Sequence, residues 1–96
     1  MTKAEQVEVI KQRIDFEMDF LDVQIEKRNE AKKEFKNCSI EKTQEKQSEL
    51  DMCHNSVNNQ YMYLCGVLAT ACELNLISKD EYNKLRNQAF AKTFDS

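Results

Sequence analysis

Residues 57–77 read VNNQYMYLCGVLATACELNLI, and this stretch decides the fold. Apolar side chains recur in it at steps of three and four, the period of a helix that buries one face. They are Val57, Tyr61, Leu64, Leu68 and Cys72. No Asp, Glu, Lys or Arg occurs from residue 52 to residue 72, although charged residues make up 32% of the chain. The stretch therefore predicts a core helix, in which Gly66 would let a neighbouring backbone approach closely.

Composition extends this prediction to the whole chain. One Gly and no Pro leave little material for tight turns, and the long segments are rich in Lys, Glu, Gln, Ala and Leu. We therefore expect an all-α protein with a single helical domain over residues 1–96. The apolar share is 41%, so one chain would build a thin core. This indicates a helical bundle that is completed by homo-oligomerisation or by a partner.

Charge and hydropathy exclude several classes of partner. A net charge of −3 argues against direct nucleic-acid binding, which normally shows a basic excess. The apolar run at 61–72 is too short to span a membrane, and the N-terminus has no apolar signal core. We therefore expect a cytoplasmic protein without a membrane partner, whose four cysteines are reduced thiols.

Capping signals divide the chain into a long antiparallel hairpin, at about 3–36 and 40–75, and a short helix at about 79–92. Thr2 and Glu5 form a capping box for the first helix, and 37–39 supplies the first turn. A continuous apolar stripe from Ile40 predicts the second helix, with residues 55–59 as the place where it could kink or break. Ser78 and Glu81 form the last capping box.

The third helix also has a recognisable start and end. Ile77 and Tyr82 occupy the two positions of a hydrophobic staple around Ser78. The turn before it falls at 75–76, and Tyr82, Leu85, Ala89 and Phe90 should point inward. After residue 92 we expect the tail, with Phe94, to fray.

The first helix carries two apolar stripes on nearly opposite faces. One stripe is Val7, Ile10, Ile14, Met18, Leu21 and Ile25, and the other is Val9, Phe16, Phe20 and Val23. A helix packed on one side needs only one stripe. The second stripe therefore contacts either another subunit or a target, or it is covered by the third helix.

A charged face runs between those stripes. Its members follow steps of seven, four, three and four, and they are Glu8, Asp15, Asp19, Asp22 and Glu26. Like charges at i and i+4 cost helix stability. The face is thus either a solvated surface or a docking surface for a protein with a basic surface, such as the nucleic-acid channel of a defence enzyme. Residues 1–26 carry a charge of −4 and residues 27–36 a charge of +3.

The residues that could bind a metal ion or take part in catalysis do not form a recognisable motif. The candidate metal ligands are Cys53 and His54 with Cys38, Cys65 and Cys72, but the paired spacing of zinc ligands is missing. Cys65 and Cys72 fall on the core face, and Asp15, Asp19 and Asp22 lack a turn that would complete a cation shell. The basic run, Lys27, Arg28, Lys32, Lys33 and Lys36, is interrupted by acids and indicates a solvated surface. We expect no enzyme activity, no cofactor and no metal.

A resemblance covers residues 63–85, about a quarter of the chain. The residues that carry it are Gly66, Ala69, Leu74, Leu76, Ile77, Ser78, Glu81, Tyr82 and Leu85. In this arrangement the segment resembles the closing helix–turn–helix of many small proteins encoded by phages and prophages. The resemblance implies a mobile-element accessory protein in a bacterial host cell. Such proteins commonly bind and block a host or defence protein, and anti-CRISPR proteins are among them.

These observations predict a non-catalytic protein-binding module, an inhibitor of the anti-CRISPR type. Its partner-binding residues would be Glu8, Asp15, Asp19, Asp22, Glu26, Phe16 and Phe20. An oligomeric protein that sequesters a ligand such as a nucleotide is one alternative, although the chain lacks the Arg/Lys and glycine clusters usual for phosphate. A scaffold component of a phage particle is the other.

Overall fold

The structure is a computed structural model that describes residues 1–94. Over those residues the chain forms three α-helices and no strand: α1 (Lys3–Asn37), α2 (Thr43–Glu73) and α3 (Lys79–Phe94). The first two pack antiparallel along their length, and α3 folds back on them at one end. The predicted all-α hairpin with a short third helix is therefore confirmed.

The caps of α1 and α3 follow the sequence signals. The Thr2 hydroxyl accepts a hydrogen bond from the Glu5 amide at 3.2 Å, and the Ser78 hydroxyl accepts one from the Glu81 amide at 3.0 Å. These bonds satisfy amides that a helix start leaves without a partner. Both predicted capping boxes therefore mark real helix starts.

The second helix differs from its prediction at its first turn. Residues Ile40–Lys42 form a short 3-10 turn, and α2 begins at Thr43, whose hydroxyl donates to the Ser39 carbonyl at 3.2 Å. Ile40 is 94% exposed, so the prediction that it belongs to the buried stripe is wrong. The helix then runs unbroken through 55–59, so the break considered there does not occur.

The turn between α2 and α3 explains why α2 stops. Asn75 takes φ 58°, a left-handed conformation that Asn tolerates better than most residues. The Leu76 amide donates to the Ala71 carbonyl at 2.9 Å, and the Asn75 amide donates to the Cys72 carbonyl at 3.0 Å. This pair of bonds is a Schellman motif. The turn predicted at 75–76 is therefore confirmed.

The end of α3 corrects two predictions. The helix continues to Phe94, and Thr93 is buried, so the tail does not fray at residue 92. Phe90 does not point inward, because half of it is exposed. Instead, Phe90 and Phe94 pack against each other and against the ring of Tyr61, with centroid distances of 4.8 to 6.4 Å.

The core lies along one face of the hairpin and is supplied by the predicted stripes. Its members are Ile14, Met18, Leu21, Ile25, Val57, Leu64, Leu68, Ala71, Ile77 and Ala89. The described chain measures 58 × 23 × 15 Å. Since one helix with its side chains is about 10–12 Å wide, much of the molecule is one helix layer thick.

The third helix does not cover the second stripe of α1. Val9, Phe16, Phe20 and Val23 all remain exposed, at fractions between 41% and 61%. The interpretation that α3 covers this stripe is therefore wrong, because α3 meets α1 through Asp22 and Arg28 on other faces. No helix in residues 1–94 is long and apolar enough to cross a membrane.

Candidate protein-binding face

Two exposed phenylalanines form the centre of the candidate face. The rings of Phe16 and Phe20 stack at a centroid distance of 6.5 Å and an interplanar angle of 8°. Phe16 is 61% exposed and Phe20 is 41% exposed. Val9 and Val23 extend this row in both directions along α1, since each lies on the same side of the helix. We call Val9, Phe16, Phe20 and Val23 the outer row.

The predicted acidic face lies beside the outer row, and its five carboxylates are not equivalent. Asp22 is paired with Lys92 of α3 at 3.2 Å, and Glu8 accepts a hydrogen bond from the Gln12 amide at 3.3 Å. Within residues 1–94 no ion pair engages Asp15, Asp19 or Glu26. Asp22 therefore belongs to the α1–α3 contact and Glu8 is bonded to Gln12, whereas Asp15, Asp19 and Glu26 are available to a partner.

A shallow groove between α1 and α2 borders the outer row on its other side. Its walls are formed by Arg13, Phe16, Glu17, Phe20, Gln60 and Tyr63. A second recess continues from it past the same Arg13 and Tyr63, and it is lined by Ile10, Gly66, Val67 and Thr70. Phe16 and Phe20 of the outer row thus stand on one side of a groove whose other side is formed by Gln60 and Tyr63 of α2.

A polar network that sequence analysis missed fixes this groove. The Gln60 amide donates to a carboxylate oxygen of Glu17 at 2.6 Å and to the Glu17 carbonyl at 3.1 Å. Arg13 Nε lies 3.1 Å from the other carboxylate oxygen of Glu17, and its Nη2 donates to the Tyr63 hydroxyl at 2.7 Å. Because Glu17 is only 4% exposed, its charge is held by these donors rather than by water.

The signal for this network was present in the sequence. Glu17 lies three residues after Ile14 and four before Leu21, so helical spacing already placed an acid on the core face. Gln60 falls in the uncharged stretch that was identified as the core helix. The sequence could not show that Glu17 and Gln60 contact each other, because the two residues are 43 positions apart.

The basic run is only partly a solvated surface. Arg28 is 5% exposed, and its guanidinium donates to the Thr93 carbonyl at 2.8 Å, in the last turn of α3. A cation at that position is favoured by the partial negative charge of a helix C-terminus. Arg28 is thus a contact between α1 and α3, which corrects the prediction that it is part of a solvated face.

The side chains considered as metal ligands do not come together in one site in the described part of the chain. Residues 1–94 contain no group of three His, Cys, Asp or Glu side chains that could hold a metal ion. All four cysteines are free and half-buried, and Cys72 packs against the core as predicted, whereas Cys65 lies outside the core cluster. Burial raises the pKa of the Tyr61 hydroxyl above its ordinary value, and the neighbouring Cys65 thiol raises it further.

Comparison of the chain with family models, curated proteins and solved structures gives no match. The properties of the candidate face are therefore argued from the residues of this chain.

Proposed function

We propose that the protein is a non-catalytic protein-binding module that docks through the outer face of α1 onto a partner with a basic surface. One observation carries the proposal: Phe16 and Phe20 stack on each other in solvent, next to three carboxylates without an ion pair in residues 1–94. Aromatic side chains of this kind often anchor protein interfaces. The adjoining acids give such an interface its preference for a basic partner.

The two rings would supply part of the binding free energy. Their exposed fractions amount to about one whole Phe side chain. Covering that area would contribute about 2 kcal/mol, from the usual value for burying one large apolar side chain. The rings are already stacked and held on a long helix, so little conformational entropy is lost when a partner covers them.

The wider biological setting stays a prediction. Inhibition of a host or defence protein, the mobile-element origin and the cytoplasmic location rest on the sequence patterns given above. Homo-oligomerisation, nucleotide sequestration and a scaffold role are also predictions, and no described contact favours them over binding of a partner.

Affinity capture with matched variants tests the aromatic part of the face. The tagged protein, its Phe16→Ala/Phe20→Ala variant and a Phe90→Ala control would be incubated with the same bacterial lysate. Phe90 is 51% exposed but also contacts Tyr61 and Phe94, so circular dichroism of the control would first establish that it keeps its fold. We expect at least one stoichiometric partner that the wild type and the control retain and that the double variant loses. Partners lost only with Phe90→Ala would refute the proposal.

A charge test uses variants with the same net charge. Asp15→Asn, Asp19→Asn and Glu26→Gln together neutralise the available acids and leave the Asp22–Lys92 pair intact. The control replaces the exposed acids Glu41, Glu45 and Glu73 by Gln. Capture should weaken, and lose its salt dependence, only in the first set. Equal weakening in both sets would show that capture depends on the net charge of the protein and not on the acidic face.

A further inference from the structure

We infer that the partner presents an amphipathic helix that lies along the outer row and carries Lys or Arg on one edge only. This inference rests on the proposed function and specifies the partner of the same face. From Val9 to Val23 the outer row spans fourteen positions, which is about 21 Å at 1.5 Å per residue. Since a long straight apolar row is what an amphipathic helix covers with its i, i+3, i+4 and i+7 side chains, a partner helix of about four turns matches its length.

The two edges of the outer row differ in charge. On one edge lie Asp15, Asp19 and Glu26, none of which has an ion pair within the described part of the chain. The other edge is the groove wall formed by α2, which carries no charged side chain between residues 52 and 72. The charge of Arg13 in that groove is compensated by Glu17. A complementary helix therefore places its bases above the acids and uncharged residues above α2.

The recess at Gly66 gives the partner helix a place to insert a side chain. A Cβ added to Gly66 would meet no atom within 4 Å beyond its chain neighbours and the local backbone of α2, so no other described residue fills this space. The recess continues the groove and includes Ile10, Val67 and Thr70. The predicted close approach of a neighbouring backbone to Gly66 does not occur within residues 1–94, because this side of Gly66 is open.

Charge complementarity favours a foreign helix over a second copy of the chain. In a symmetric antiparallel pair centred on Phe16 and Phe20 the same edges of both α1 helices meet, so Asp15 and Asp19 of one copy would lie opposite acids of the other. Like charges in such positions destabilise the pair. In a parallel pair the acids would face the uncharged surface of α2. Neither arrangement supplies the bases that the free carboxylates require.

A displayed library of helical peptides of about 15 residues tests this inference with the full chain as bait. Library positions would be randomised on the surface of a fixed helical scaffold, and binding of enriched peptides would be measured by fluorescence anisotropy. We expect peptides with an apolar stripe at helical spacing and with Lys or Arg enriched along one side of that stripe. Their affinity should fall about ten-fold or more with Phe16→Ala/Phe20→Ala, as for the loss of an interface anchor.

Three results would overturn the inference. Enriched peptides without helical spacing, or with bases on neither edge, would contradict the chemistry assigned to the partner. Unchanged affinity in the Phe16→Ala/Phe20→Ala variant would show that the peptides bind elsewhere. A dimer that is seen by analytical ultracentrifugation of the protein alone, and that this variant dissociates, would assign the face to a second copy.

The peptide test can fail while the proposed function survives. If lysate capture depends on Phe16 and Phe20 but no basic amphipathic peptide is enriched, the partner binds through a surface other than a helix. If capture is insensitive to both rings, the proposed function itself is refuted.

Discussion

Replacing Gly66 by Ala should stabilise the folded chain. Gly66 lies within α2, its φ is not positive, and an added Cβ would meet no atom within 4 Å beyond its chain neighbours and the local backbone of α2. The substitution therefore removes the entropic cost of glycine in a helix without adding a clash. That cost is about 0.5–1 kcal/mol. For a domain of this size the melting temperature should rise by about 2–8 °C.

Urea unfolding followed by circular dichroism measures this change, with Gly66→Ser as an intermediate variant because Ser has a helix propensity between those of Gly and Ala. The order of stability should be Ala, Ser, Gly. The same variant should weaken binding of a helical partner, since the added methyl group enters the open recess. Equal or lower stability of Gly66→Ala would refute the description of Gly66 as unconstrained within the monomer.

Three further changes probe the interior of the fold. Glu17→Ala should lower the free energy of unfolding by about 1–3 kcal/mol, since it removes an acceptor from the buried Gln60 amide. Glu17→Gln keeps an acceptor and should cost less, and urea titration of both variants checks this order. Leu64→Ala should cost about 2–5 kcal/mol in the same assay because Leu64 is fully buried, whereas the exposed control Met62→Ala should change stability by at most about 0.5 kcal/mol. Tyr61→Phe should reduce the loss of stability above about pH 10. The Tyr61 hydroxyl has a raised pKa in the folded state, so it ionises at a lower pH in the unfolded chain than in the folded one, and this favours unfolding at high pH. Urea titrations of both proteins from about pH 8 to pH 11 measure the difference.

The fold could be predicted because its signals are local. The period of residues 57–77 identified the core helix, and the Ser78 and Thr2 caps fixed two helix starts to within one residue. Helical spacing along α1 also separated the buried stripe from the outer row. Each of these signals depends on residues within a few positions of one another.

The unpredicted contacts between helices join residues that are distant in sequence. Arg28 contacts a carbonyl 65 positions away, and Lys92 reaches Asp22 over 70 positions. Sequence spacing places each residue on a face of its own helix but does not say which helix packs there. The same reason explains why the position of α3, and therefore the exposure of the outer row, could not be predicted.

The two exposed aromatic groups of the protein have different physical roles. Phe90 and Phe94 contact the ring of Tyr61, so they connect α3 to α2 while remaining half-exposed. Among the aromatic rings of residues 1–94, Phe16 and Phe20 contact only each other. Removing the first pair therefore breaks a contact between helices, whereas removing the second pair mainly exposes the groove. The outer row is thus the aromatic surface whose presence the fold explains least, which is the reason to place the partner there.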